Sequence, residues 1–121
     1  MTRPFSRPLV AIAGLCGAAG VALAAAGSHG GNADLSIAAN FLLIHAPALL
    51  GLSLLPRSRV LIAAAGVLVL GLLLFSGDLA TRAWLGHALF PLAAPIGGTG
   101  LILGWLLVVA AAIFGGRVSQ R

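Results

Sequence analysis

Residues 35–80 read LSIAANFLLIHAPALLGLSLL (35–55), PRSR (56–59) and VLIAAAGVLVLGLLLFSGDLA (60–80). Two apolar runs of membrane-crossing length flank a four-residue gap that holds two arginines. Helix is the only open-chain structure that can satisfy its own backbone in lipid. At 1.5 Å per residue each run reaches about 30 Å, the thickness of a bilayer core. So short a gap forces the two helices to be antiparallel neighbours.

Working outward, an apolar run precedes this pair at about residues 9–28 and another follows at about 97–115. The expected fold is therefore a single all-α membrane domain over residues 1–121, an antiparallel bundle of four transmembrane helices at 9–28, 35–55, 60–80 and 97–115. Residues 81–96 hold Trp84, His87, Phe90, Pro91 and Pro95, too apolar for a solvated loop and too broken for a fifth crossing. We expect a short interfacial helix there, since tryptophan favours the membrane–water boundary.

Composition agrees. Hydrophobic residues make up 60% of the chain and charged residues 7%, against about a quarter charged in soluble domains. Mean hydropathy is +1.13, and no water-soluble fold of this size hides so much apolar surface. The formal charge of +5 comes without lysine. Its arginines sit in pairs at segment edges, Arg3 with Arg7, Arg57 with Arg59, and Arg117 with Arg121, and not as a stripe. That pattern argues for membrane orientation and against nucleic acid. The remaining gaps hold Asp34 and Asp78 and the seventh arginine, Arg82. By the positive-inside rule both termini and Arg57–Arg59 face the cytoplasm, as in a bacterial inner-membrane protein. Arg3 and Arg7 ahead of Ala22, Ala24 and Ala26 also resemble a secretory signal, but the uncharged stretch from Pro8 to Ser28 exceeds the roughly 7–15 residues of a signal core.

Ionisable groups in lipid are costly and are candidate sites for that reason. His45 lies ten residues from each end of its segment. Pro47 cannot donate to the carbonyl of Leu43, which leaves an acceptor beside the imidazole. A proton relay, a ligand contact or a metal ligand would use such a histidine; the plainer reading is a neutral ring bonded to a neighbouring helix. A second group, His29, Asp78, Arg82 and His87 with Asn32 and Asp34, collects near the other face. Asp78 and Arg82 have the spacing of a helical ion pair, which is more often a brace than a reaction centre. No closely spaced ligand motif points to a metal. Cys16, the single cysteine, reads as a small buried hydrophobe. Small residues at helix-packing spacing are Gly14 with Ala18, Ala22 with Ala26, and Gly100 with Gly104, and Gly17 also suits helix packing.

Four motifs then carry a family resemblance: GAAGVALAAAGSH (17–29), HAPALL (45–50), LFSG (74–77), and PIGG (95–98) with Gly104-Trp105. Together these resemble the YgdD-like family, also called domain of unknown function 423, with eukaryotic relatives named transmembrane protein 256. The resemblance implies a small inner-membrane protein of four helices with no established activity. The chain departs from it at Asn40, Phe41, Leu42 and Ile44, where polar and aromatic residues are usual, at Asp78 in place of serine, and at Ala94 in place of threonine. Part of any polar site around the histidine is thereby lost.

The function expected is a non-enzymatic accessory subunit or scaffold, associating through small-residue helix faces with a membrane-protein partner or with its own copies. No cofactor, metal or catalytic residue is expected. The alternative is a small oligomeric proton-coupled transporter with His45 as the titrating group. An enzyme or metal protein built on the second cluster stands last.

Overall fold

The computed structural model describes residues 6–114, so Arg3, Gly115, Arg117 and Arg121 lie outside the described residues. Four helices follow in order: α1 Arg7–Gly30, α2 Ala33–Leu54, α3 Arg59–Leu85 and α4 Ala93–Phe114. Each is long and apolar enough to cross a membrane. The chain is an all-α integral membrane protein.

Local chemistry sets the ends. The Asn32 side chain accepts a hydrogen bond from the Leu35 amide at 3.1 Å, and Asp34 lies in the same first turn, beside the positive end of α2. Ser58 caps α3 likewise through the Leu61 amide. Gly31 ends α1 and Gly86 ends α3 with φ of 66° and 78°, the left-handed conformation that glycine adopts without steric penalty. Pro95 falls in the first turn of α4, where no intrahelical donor is needed.

The segment 81–96 differs from expectation. There is no separate interfacial helix. Residues 81–85 are the last turn of α3, extended by the Thr81 hydroxyl on the Gly77 carbonyl and by the Asp78–Arg82 pair. Residues 86–92 form a non-helical connection, and α4 begins at Ala93. The turn chemistry of Gly86 and the pull of Asp78 outweigh the amphipathic content of so short a stretch.

The helices pack in chain order. α1 lies on α2 and α3 on α4 in two extensive interfaces, joined by a thinner α2–α3 seam; α1 and α4 share no comparable interface. The bundle is thus a row of two tight hairpins and not a closed ring. Ala13, Cys16, Leu42, Ala46, Leu49, Leu68, Leu72 and Leu101 form its apolar core.

Glycines set how closely each hairpin closes. A Cβ on Gly71 would lie 2.8 Å from the Gly97 carbonyl oxygen, and one on Gly104 would lie 2.6 Å from Leu68 Cδ2. In the other hairpin, Gly20 meets Leu43 and Gly27 meets Ser36 at similar range. Close backbone approach of this kind is what drives helix association where lipid is as apolar as the side chains. Of the glycines expected at helix contacts, Gly104 is central, Gly100 touches Gly71, and Gly17 makes only an ordinary contact with Ala46. Gly14 makes no close contact within the chain: it is exposed, with nothing within 4 Å of a Cβ built there. The α1 face turned to α2 runs through Ala13, Cys16, Gly20 and Gly27, so Gly14, Ala18 and Ala22 point away from the chain's own helices.

Candidate functional site

His45 sits midway along α2 and is 5% exposed. Its Nε2 lies 3.1 Å from the Trp105 indole nitrogen on α4, and its Nδ1 lies 2.8 Å from the Phe41 carbonyl. An indole N–H only donates and a carbonyl only accepts. The two contacts together therefore select one form of the ring, neutral, with its proton on Nδ1. The acceptor expected at Leu43 is not the one used: the side chain reaches back one helical turn to Phe41 instead.

Aromatic rings hold this arrangement. The His45 and Trp105 ring centres are 5.8 Å apart, and Phe41 lies nearly parallel to the imidazole with centres 6.1 Å apart. Phe75 of α3 packs on Phe41 at 4.4 Å. These residues floor a groove of about 680 Å³ between α2 and α4, with Thr99 and Ile102 on its α4 side. Because the row does not close into a ring, the groove opens sideways. A ring whose two nitrogens are both engaged, in apolar surroundings, is placed to fix helix against helix. It offers no free lone pair for proton abstraction.

The second cluster does not assemble. Asp78 is fully buried. Its Oδ2 accepts from Arg82 Nε at 2.9 Å, and its Oδ1 accepts from the Leu89 amide at 2.8 Å. The carboxylate therefore ties the 86–92 connection to α3. Arg82 is 44% exposed, so the buried weight of the interaction lies with Leu89. The His87 ring bonds the neighbouring Ala88 carbonyl, and both His87 and His29 are exposed. Among the described residues no three histidine, cysteine or acidic side chains come together. Ser76 Oγ is buried without a hydrogen-bond partner among them, and Cys16 is a buried free thiol.

Trp105, which bonds His45, is not singled out as a site residue by the sequence. A signal for it exists. Tryptophan belongs at the membrane boundary, whereas Trp105 stands mid-helix, where its N–H needs an acceptor. Among the described residues His45 is the one histidine, acid or arginine at matching depth. Gly71 and Gly97 were also missed, because glycine is so frequent here (17 in the chain) that spacing does not single them out.

No curated protein and no solved structure matches the chain. Residues 17–98 match the family described as "Protein of unknown function (DUF423)". The matched stretch begins within α1, takes in His45 and Asp78, and ends in the second turn of α4, before Trp105. The chain belongs to this DUF423 family, and its four helices are each long and apolar enough to cross a membrane.

Proposed function

We propose that this protein is a non-catalytic accessory subunit or scaffold of a bacterial inner membrane, held to a larger membrane protein through the outer face of α1. The observation that carries this reading is the exposed stripe Gly14, Ala18 and Ala22. Small residues four apart let a second helix approach closely in lipid, and the chain's own fold leaves these unused. α1 is an edge helix of the row. The other edge, α4, presents large side chains such as Ile102, Leu106, Val109 and Ile113, which suit acyl chains.

The arginine-rich end, with Arg7, Arg57 and Arg59, faces the cytoplasm in this reading, together with both termini. Purification in mild detergent tests the association. The wild-type chain should travel with a larger membrane protein, and Ala18→Leu should release it without loss of helix content. A wild-type chain that runs alone, at 12.0 kDa plus its detergent, would end the proposal.

The carrier reading would make His45 the titrating group. It is less well served, because Trp105 and the Phe41 carbonyl already occupy both ring nitrogens. It prevails if the protein in vesicles carries a flux that His45→Leu abolishes while the variant still inserts.

A further inference from the structure

The arginine-rich end of the row carries a second groove. The starts of α1 and α3 stand apart across the end of α2 and leave about 400 Å³ between them. The walls are apolar, with Leu9 and Ile12 on one side and Ile62 and Val69 on the other. Arg57 stands at the mouth, exposed, in the α2–α3 connection. It has no acidic partner: among the described residues the one ion pair is Arg82–Asp78. Both acids of the chain, Asp34 and Asp78, lie toward the opposite end of the helices. Arg7 and Arg59 are exposed at the same end as Arg57. The two helices that frame the groove also begin there, which adds their positive dipole ends to the arginine charge.

Size decides what fits. A helix with side chains is about 10–12 Å across, too thick for a cleft of this volume. From Leu61 to Leu70 the α3 wall rises about 13 Å, the reach of most of an acyl chain. We infer that the groove seats an acyl chain of an anionic phospholipid from the surrounding leaflet, with the lipid phosphate on Arg57. The apolar walls take the chain, and the unpaired guanidinium at headgroup depth takes the charge.

The full chain reconstituted in phosphatidylcholine vesicles, with a trace of spin-labelled phosphatidylglycerol or spin-labelled phosphatidylcholine, tests this. The motionally restricted fraction of each label reports occupancy. Wild type should favour phosphatidylglycerol by about fivefold or more, and Arg57→Gln should remove about fivefold of that preference; Arg57→Lys should retain most of it. Gly66 lines the groove and has nothing within 4 Å of a Cβ built on it. Gly66→Phe should therefore fill the space and lower occupancy by both labels with helix content unchanged. Equal occupancy by the two lipids, an unchanged preference in Arg57→Gln, or wild-type occupancy in Gly66→Phe would overturn the inference. Displacement of the labelled lipid by inorganic phosphate alone would also overturn it, by making this a free-anion site.

Discussion

Replacing Gly71 with alanine should loosen the α3–α4 hairpin, whereas the same change at Gly14 should not. At position 71 the new methyl would sit 2.8 Å from the Gly97 oxygen, 2.9 Å from the Leu101 nitrogen and 3.1 Å from the Gly100 carbonyl carbon. Ordinary contacts between such atoms fall near 3.5–4.0 Å. All three neighbours are backbone, so no rotamer change relieves them, and α4 must retreat by about 0.5–1 Å. The retreat also slackens the Gly104–Leu68 and Gly97–Phe75 contacts. Overpacking of this kind costs about 1–3 kcal/mol, more than the up to about 1 kcal/mol that alanine recovers in helix propensity. Gly14→Ala meets nothing within 4 Å and should be neutral or slightly stabilising. Reversible unfolding in mixed micelles, followed by far-ultraviolet circular dichroism, measures both. Equal stability of Gly71→Ala and wild type, or an equal loss at both positions, would refute the packing argument.

Further outcomes follow from single contacts. His45→Leu should leave the fold intact and cost about 1 kcal/mol, and a double-mutant cycle with Trp105→Phe in the same unfolding assay should give a coupling of about 0.6–1.7 kcal/mol. Zero coupling would mean that the 3.1 Å contact contributes nothing. Asp78→Ala strands the Leu89 amide and should cost about 1–3 kcal/mol, and Arg82→Ala, which removes a half-exposed partner and leaves the Leu89 bond in place, should cost less; the reverse ranking would show that the ion pair matters more than the tie to the connection. Ser58→Cys in a Cys16→Ala background should react with impermeant maleimide only after the inner leaflet is opened. Labelling in intact cells would invert the proposed orientation.

Four helices and their antiparallel order were legible in the sequence, because apolar runs of spanning length leave the backbone no other choice in lipid. The inward placement of His45 was legible for the same reason, since an imidazole facing lipid would go unsatisfied. Its partner was not, because His45 and Trp105 are joined by the lateral order of helices and no local spacing records that order. The Asp78–Arg82 pair could be read from the interval of four residues. The bond from Asp78 to the Leu89 amide could not, since it depends on how residues 86–92 fold back. The small-residue pairs show the limit most clearly: Gly14 with Ala18 and Gly100 with Gly104 look alike on paper, yet one faces outward and the other closes a hairpin. Which face of a helix is turned inward is decided by the whole set of interfaces, and an even spread of alanine and glycine along α1 hides it.

Site-specific photocrosslinking in native membranes tests the central claim most directly, with the probe at position 18 on the outer face of α1 and, as control, at position 102 on α4. Ile102 is 63% exposed and should react only with lipid. Position 18 should give one discrete protein adduct, the chain joined to a larger membrane protein, and Gly14→Leu should abolish it. An adduct at twice the mass of the chain would replace that partner with a second copy. Lipid adducts alone at position 18, or protein adducts equally from both positions, would contradict the account.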